Sequence, residues 1–504
     1  SIKFMNFMLL SDYEWSRNPR GMHNANVFEP IDFSVYTTTG MGWVKLVTIG
    51  NDFYDFIPRY LEANITPVVR IYLGQFGNRP MSDAHRRNYE SFASLGVKWF
   101  EFYNEPNLEV EWPGDLPDWN NPAQLEPLMD NWLAWAEFII NDLGGYPGFI
   151  PLAEAASESR NSSVRWMDAM LNYLADRHFE RFLNVLRGGC YCATHPYILN
   201  HFYQQIPGGG PLSFRLPSDQ RAREGGWHFE YPYDPFTQSV DPGRTVYGGT
   251  DRTPLGDPNG LIAMGRMFNE RCATIFGTQA VPVLGTEGGI WNFPAPGDPP
   301  YQQDPRFPPY TNASQAEATV AMFDWCAQVA PPWFFGVCLW KEDDYTTKGQ
   351  QALLRLRQNP PIEAFVPDIP VMQDGSSYVP GLRSPAPLEL RGPGPIHGQV
   401  DFHMVIVDDT LSMDWFFQTG AAYWDEFRPI VTTETDFLDM MPWEKSLGIT
   451  LIVSNVRRFE AETLIREGYP NAYLDPIIVT PGESTLEQVS RIFAQRLETG
   501  RRFG

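Results

Sequence analysis

The feature of the sequence that most constrains its fold is a regular alternation of apolar, β-rich runs with amphipathic helical stretches from about residue 43. Trp43–Thr48 is typical of a buried strand, and Ser162–Leu186 carries apolar residues at helical spacing. With the segment around Met22–Val27 as the first strand, we count about eight strand–helix units in roughly 355 residues. This pattern predicts a parallel sheet covered by helices, and it favours a closed (β/α)8 TIM barrel over an open sheet.

The predicted strands and helices of the barrel alternate along the chain. The predicted strands are Met22–Val27, Trp43–Thr48, Thr66–Tyr72, Val97–Tyr103, Phe149–Ala153, Ala193–Tyr197, Val281–Thr286 and Phe334–Leu339. Helices are predicted after Asn51, Ser82 and Pro122, and over Ser162–Leu186, Gly260–Phe276 and Ala313–Val329.

Two stretches interrupt this rhythm and suggest the domain organisation. Residues 206–258 are rich in Gly, Pro and aromatic residues and predict a long functional loop after the sixth strand. Residues 359–397 are Pro-rich and predict a semi-rigid linker. A new alternation of strand and helix then predicts a smaller α/β domain over residues 398–504, after a catalytic barrel over residues 1–358. Within it, Asp408 and Asp409 are interpreted as capping or solvated residues.

Charge and composition narrow the classes of partner. The formal net charge is −23, which would repel nucleic acid and anionic membrane surfaces, although solubility alone also explains such a charge. The sequence contains no run of about 18 apolar residues, so we predict no membrane span. Ser1–Leu10 is typical of a first strand rather than of a signal peptide, and we favour a cytoplasmic over a secreted location. The 5 cysteines lack metal-ligand spacing.

Two glutamates follow apolar strands of the predicted barrel. Glu105 comes after the fourth strand in WFEFYNEPN, and Glu287 comes after the seventh in VPVLGTEGG. The active site of such a barrel lies at the carboxyl ends of the strands, so both side chains are expected at one mouth. Cleavage of a glycosidic bond needs a protonated and an ionised carboxyl, about 5–5.5 Å apart in a retaining enzyme. Glu317 and Glu342 are the alternatives to Glu287.

The sequence resembles the clan A glycoside hydrolases over roughly residues 1–355, most strongly at Asn104–Glu105–Pro106. The resemblance implies that Glu105 is the acid/base, that Asn104 binds the 2-hydroxyl of the sugar, and that Glu287 is the nucleophile.

Further residues match the same family pattern. His195 and Tyr197 in THPY match its His-x-Tyr, which implies that the tyrosine donates to the nucleophile, and Trp340 matches the aromatic floor under the sugar. The chain departs from the family at strand two, where Lys45 stands in place of a common Arg and the nearest arginine is Arg70.

Aromatic residues after the strands are further candidates for sugar binding, because flat rings stack on pyranose faces. We favour this interpretation for Trp291 and Trp340, and leave Trp112 and Trp227 open between sugar binding and the core.

The resulting hypothesis is retaining hydrolysis of a neutral β-linked glycoside by double displacement. We expect neither a metal nor another cofactor, because His195 and His201 lack supporting ligands at a plausible spacing. The alternatives are a transglycosylase, a non-catalytic carbohydrate-binding barrel and metal-dependent chemistry on the same fold. Residues 398–504 suggest a homo-oligomer, by architectural resemblance to β-galactosidases with a trimerising α/β domain.

Overall fold

The computed structural model separates into two compact units, Ser1–Tyr231 with Pro258–Gly381 and Pro232–Asp257 with Leu382–Gly504. The structure describes residues 8–24, 31–199, 201–205, 221–291, 311–373, 400–413, 420–435, 438, 441, 445–469, 472–480 and 485–503. Among these described residues, no helix is both long enough and apolar enough to cross a membrane.

The first unit contains a closed barrel of eight parallel strands, which confirms the predicted (β/α)8 fold. The strands of this unit are β1 (Arg20–His23), β2 (Trp43–Thr48), β3 (Thr66–Ile71), β4 (Trp99–Glu101), β5 (Tyr146–Phe149), β6 (Tyr191–Thr194), β7 (Tyr197–Ile198), β8 (Tyr203–Gln204), β9 (Trp227–His228), β10 (Val283–Ile290) and β11 (Phe334–Leu339). The barrel order is β1-β2-β3-β4-β5-β6-β10-β11, and β11 pairs with both β10 and β1 to close it. The short β7 adds to β10, and β8 and β9 form an antiparallel pair.

The helices of both units alternate with these strands. In chain order they are α1 (Phe33–Thr38), α2 (Ile57–Glu62), α3 (Asp83–Ser94), α4 (Pro122–Asn141), α5 (Ser163–Gly188), α6 (Pro235–Val240), α7 (Ala263–Phe276), α8 (Asn312–Gln328), α9 (Glu342–Thr347), α10 (Gln350–Gln358), α11 (Ala421–Phe427), α12 (Arg458–Gly468) and α13 (Thr485–Thr499). Ser82 caps α3 as predicted, because its hydroxyl accepts a hydrogen bond from the backbone N–H of His85.

Large aromatic side chains fill the interior of the barrel. Trp43 and Trp99 are fully buried and meet edge to face with their ring centroids 4.9 Å apart. Tyr191 lies 4.7 Å from Trp99. Gly148 on β5 leaves room for the Tyr191 ring, because a Cβ at this position would come within 2.8 Å of it. The aromatic interior therefore supports the strand ends that carry the site.

Several predicted strands differ from their observed bounds, among them the first, the fifth and the sixth. The sixth was expected at Ala193–Tyr197, whereas β6 spans Tyr191–Thr194. The fifth was expected at Phe149–Ala153, but β5 ends at Phe149. The prediction began too late because Pro147 and Gly148, which are typical of turns, belong to the strand. The first was expected around Met22–Val27, whereas β1 ends at His23, and residues 25–27 lie outside the described residues. Of the strand predicted over Ser1–Leu10, residues 1–7 are outside the described part, Leu9 forms an isolated antiparallel bridge with Pro370, and Leu10 begins a 3-10 helix.

The second unit contains a four-stranded parallel sheet in the order β13-β12-β14-β15. Its strands are β12 (Phe402–Val407), β13 (Ile430–Thr432), β14 (Leu447–Ser454) and β15 (Tyr473–Val479). Alternate residues of β12 belong to two different hydrophobic clusters. Met404 packs in the cluster of Ile465 on α12, and Val405 packs in the cluster of Phe493 on α13. Both faces of this sheet are therefore buried, as is usual for parallel sheets.

Part of the long predicted loop groups with this second unit. The Arg466 guanidinium lies over the Tyr233 ring, 4.2 Å from the centroid of that ring, and Gly243 packs against the ring of Tyr473. Residues 206–220 of the predicted loop and residues 374–397 of the predicted linker lie outside the described residues. The bounds 359–397 and 398–504 therefore stay a prediction.

Candidate active site

The structure brings Glu105 and Glu287 together at the carboxyl ends of the barrel strands. Glu105 lies just beyond β4, and Glu287 lies near the end of β10. One carboxyl oxygen of each residue and one ring nitrogen of His195 all lie within 4.8 Å of one another. The Glu105 side chain is 12% exposed and that of Glu287 is 8% exposed, so the two carboxyls share a nearly dry site.

The backbone at Glu105 has an unusual conformation for a residue other than glycine. Its φ is +22°, and Pro106 follows it, which restricts the backbone further. Behind the loop, the indole N–H of Trp112 donates to the carbonyl of Pro106 at 2.7 Å. Sparsely populated backbone conformations persist where the surroundings impose them, and they concentrate at functional sites.

Burial controls the protonation of Glu105. It raises the pKa of this carboxyl from its usual 4.5 to about 7, against an opposing effect of Arg70. Repulsion by Glu287 is not among the causes of the shift. Nδ1 of His195 lies 2.7 Å from Oε1 of Glu105, and burial lowers the pKa of His195 to about 3, so this imidazole stays neutral at physiological pH.

Glu287 receives a direct hydrogen bond from Tyr197. The phenolic O–H donates to Oε1 of Glu287 at 2.6 Å. Burial, followed by the charge of Glu287, raises the pKa of Tyr197 well above its usual value, so the phenol keeps the proton that it donates. The second oxygen, Oε2, lies 3.8 Å from Nε2 of both His23 and His195, which is beyond hydrogen-bonding distance.

Asn104 is held from two sides. Nη1 of Arg70 on β3 donates to Oδ1 of Asn104, and Nδ2 of Asn104 donates to Oε1 of Glu111 at 2.7 Å. Burial raises the pKa of Glu111 above its usual value, while the hydrogen bond from Asn104 opposes the shift. The amide orientation of Asn104 is thereby fixed, and one of its two amide hydrogens is left for another partner.

Lys45 does not reach the Glu287 carboxylate with a hydrogen bond. Its Nζ pairs with Oε2 of Glu101, and both side chains are fully buried. Burial and then the charge of Arg70 lower the pKa of Lys45 well below its usual value. The charge of Lys45 contributes to lowering the pKa of His23 and of His195.

The four tryptophans considered from the sequence have different surroundings. Trp340 is partly exposed and meets the His23 ring edge to face at 4.5 Å, and Trp291 is partly exposed beside Tyr197 at 6.2 Å. Trp112 is buried, and its N–H supports the loop that carries Glu105. Trp227 is buried in a stack with Phe229. Trp340 and Trp291 therefore remain the better candidates for sugar contacts.

Two residues of the site were missed in the sequence, and two rivals lie elsewhere. His23 escaped notice because the first strand was predicted to continue past it, and Glu111 lies in a polar loop that carries no distinguishing signal. Glu317 bonds with Arg355 on α10, and Glu342 accepts hydrogen bonds from Tyr36 and the backbone of Asp32. Neither rival joins the carboxyl pair.

The donor set at the centre of the site is also one that a metal ion can use. Within the described part of the chain, Glu105, His195 and Glu287 form the single group of three such ligands. In the structure, however, Glu105 is bonded to His195 and Glu287 to Tyr197. These contacts use one oxygen of each carboxyl, whereas Oε2 of Glu287 and Nε2 of His195 have no partner among the described residues.

The closed parallel barrel, with Asn104–Glu105–Pro106 beyond its fourth strand, makes the chain resemble the clan A glycoside hydrolases. No family model and no curated protein matches the sequence. Among solved structures, it is similar to a GH128 (subgroup III) curdlan-specific exo-β-1,3-glucanase from Blastomyces gilchristii, with 14% identity and a TM-score of 0.34, over 68% of this chain and 99% of that chain.

Two further solved structures are β-glucosidases. The enzyme from Exiguobacterium marinum has 14% identity and a TM-score of 0.30, over 62% of this chain and 77% of that one. The GH1 β-glucosidase from Exiguobacterium antarcticum B7 has 13% identity and a TM-score of 0.31, over 61% of this chain and 75% of that one.

Proposed function

We propose that the protein is a retaining glycoside hydrolase that cleaves a neutral β-linked glycoside by double displacement. The observation that carries the proposal is a close carboxyl pair in unlike environments. Glu105 has a pKa of about 7, which keeps a large fraction protonated near neutral pH, whereas Glu287 accepts a hydrogen bond from a phenol. One oxygen of each lies within 4.8 Å of the other, which is closer to the carboxyl separation of retaining enzymes, about 5–5.5 Å, than to the roughly 6.5–9.5 Å of inverting ones.

In the first step, an oxygen of Glu287 attacks the anomeric carbon while Glu105 gives its proton to the leaving oxygen. The glycosidic bond breaks, and an ester forms between the sugar and Glu287. In the second step Glu105, now ionised, accepts a proton from water as the water oxygen attacks the anomeric carbon. The ester bond to Glu287 breaks in the same displacement, which releases the sugar with its original anomeric configuration and leaves Glu105 protonated and Glu287 ionised.

The surrounding residues orient this pair. Tyr197 fixes one oxygen of Glu287, and His195 fixes one oxygen of Glu105. The spare amide hydrogen of Asn104 is available for a sugar hydroxyl, and partly exposed Trp340 offers a ring face for the pyranose. These contacts would hold the sugar with its anomeric carbon toward Glu287.

The direct test is a panel of aryl β-glycosides with different sugars, with the first product observed by NMR. We expect turnover of at least one glycoside, release of the β-anomer first, and unchanged rates after treatment with a chelator. First release of the α-anomer would contradict the retaining mechanism. Loss of activity in chelator, restored by added metal, would favour the metal-dependent alternative on Glu105, His195 and Glu287.

Two alternatives use the same site. A transglycosylase would transfer the sugar from Glu287 to another hydroxyl, so added acceptor sugars would give longer products in place of hydrolysis. A non-catalytic carbohydrate-binding barrel would bind sugars without turnover. The raised pKa of Glu105 favours catalysis, because binding alone does not need a carboxyl that titrates near neutrality.

A further inference from the structure

His23 lies at the centre of the site without a role in the reaction described above. It is the last residue of β1, only 1% of it is exposed, and its Nε2 points to within 3.8 Å of Oε2 of Glu287. Its ring also meets Trp340 edge to face, with centroids 4.5 Å apart. The residue therefore borders both the attacking carboxylate and the partly exposed aromatic ring beside it.

One hydrogen bond fixes which nitrogen of His23 carries the proton. Nδ1 lies 2.8 Å from the backbone carbonyl oxygen of Asn24, and a carbonyl oxygen can only accept. Nδ1 must therefore be the donor. Burial and the charge of Lys45 lower the pKa of His23 well below its usual value, so the ring holds a single proton. Nε2 is then a bare lone pair that can only accept.

Among the residues that the structure describes, no donor reaches this acceptor. Nε2 of His23 has no hydrogen-bond partner among the described residues, and neither has the Glu287 oxygen that faces it. Two acceptors 3.8 Å apart cannot satisfy each other. Nε2 of His195, also without a partner in the described part of the chain, lies at the same distance from that oxygen. Buried polar atoms are nearly always paired, so this convergence marks a place for an outside donor.

We propose that Nε2 of His23 accepts a hydrogen bond from one hydroxyl of the sugar bound at Glu287, and so requires a donor at that ring position. The inference rests on the proposed function. The chain carries His23 on β1, separated from β10 only by β11, whereas Asn104 follows β4 on the other side of the barrel. His23 and Asn104 would therefore bind different hydroxyls of one sugar.

An acceptor-only site makes a sharp prediction for modified substrates. A deoxy sugar removes the hydroxyl, and a fluoro sugar puts an acceptor where a donor is needed. At the ring position that faces His23, both changes should lower kcat/KM of the wild type by about 10- to 100-fold. A site that donated a hydrogen bond would instead tolerate fluorine better than hydrogen at that position.

The experiment compares kcat/KM of wild type, His23→Phe and the control His85→Ala on the preferred aryl glycoside and on its monodeoxy and monodeoxyfluoro analogues. His85 lies on the outer helix α3. We expect the penalty at one ring position to disappear in His23→Phe and to persist in His85→Ala. Equal penalties in wild type and His23→Phe at every position would overturn the inference while leaving the hydrolase intact. If His23→Phe does not fold, His23→Gln, which keeps an acceptor oxygen, should retain part of the discrimination.

A second readout does not depend on turnover. In protein labelled with 15N-histidine, the His23 signals, identified by their absence from the His23 variant, should show a proton on Nδ1 and a bare Nε2. Addition of the free monosaccharides should shift the Nε2 signal for the preferred sugar. If the wild type cleaves no glycoside, the proposed function fails, and this titration still decides the inference. A proton on Nε2, or no shift with any sugar, would contradict it.

Discussion

At the scale of single residues, the chemistry of the site is controlled by burial. Glu105 and Glu287 have the same side chain, but Glu105 has a pKa near 7 because it is desolvated, and Glu287 bonds to a phenol that stays protonated. His195 is neutral for the same physical reason. In the mechanism that we propose, the division into acid and nucleophile would follow from the surroundings of each carboxyl.

The pH dependence should report the protonation of Glu105. General acid catalysis needs the protonated carboxyl, and a pKa of about 7 means that this form is lost as pH rises through about 7. For a glycoside with a poor leaving group, kcat/KM should fall over that range. With a highly acidic phenol as leaving group the fall should vanish, because such a phenolate departs without a proton.

The matched variant for this prediction is Glu105→Gln. It should lower kcat/KM for the poor leaving group by about 10²- to 10⁴-fold and remove the alkaline fall, with little effect on the acidic phenol in the first step. An alkaline fall that survives in Glu105→Gln would show that another group is the acid. Glu111, the third carboxyl of the site, would then be the first residue to substitute.

Only part of this set of site residues could be predicted from the sequence. Glu105 and Glu287 were visible because each follows an apolar strand, where barrel enzymes place reactive groups. His23 follows the same rule, but the strand boundary was misplaced by a few residues and hid it. The pairing of Lys45 with Glu101 depends on which side chains β2 and β4 turn inward, which the apolar pattern of these strands does not disclose.

At the scale of strands and helices, the apolar runs located most of the barrel. Trp43–Thr48 and Phe334–Leu339 were predicted with their observed bounds, because each is a mostly apolar run of strand length. The helix after Asn51 begins only at Ile57, since Pro58 cannot continue a helix that started a turn earlier. The predicted position of β5 was displaced because the observed strand contains a proline and a glycine.

The glycine in β5 should be required by the aromatic interior of the barrel. In Gly148→Ala the new Cβ would come within 2.8 Å of the Tyr191 ring and 3.1 Å of Cγ of Glu101, so we expect a loss of about 1–3 kcal/mol in the free energy of unfolding. The control is Gly50→Ala, where a Cβ meets nothing within 4 Å. Denaturant unfolding of both variants measures the difference, and equal stability would contradict the packing described for β5.

At the scale of the whole molecule, charge and assembly are the properties that the sequence addresses. The net charge of −23 fits a neutral substrate better than a polyanion. We propose that residues 398–504 form a separate domain and that the protein assembles through it. The second unit exposes large apolar side chains, among them Val456 at 81% and Leu464 at 52%.

The assembly prediction is tested on the intact protein by size-exclusion chromatography with light scattering. The chain has a mass of 57.5 kDa, and we expect a multiple of that mass at micromolar concentration. Val456→Asp and Leu464→Asp should shift the population toward the single chain if these side chains lie in the interface. A single chain at every concentration for the wild type would contradict the prediction.

The rescue of alanine variants by azide tests at once the two roles that we propose, Glu287 as the nucleophile and Glu105 as the acid/base. On an activated aryl β-glycoside, Glu287→Ala should lose most of its turnover and recover part of it in azide, with the α-glycosyl azide as product. Glu105→Ala should recover in azide with the β-glycosyl azide as product, because the ester on Glu287 still forms first. Full activity in Glu287→Ala without azide, or the same azide anomer from both variants, would contradict the assignment.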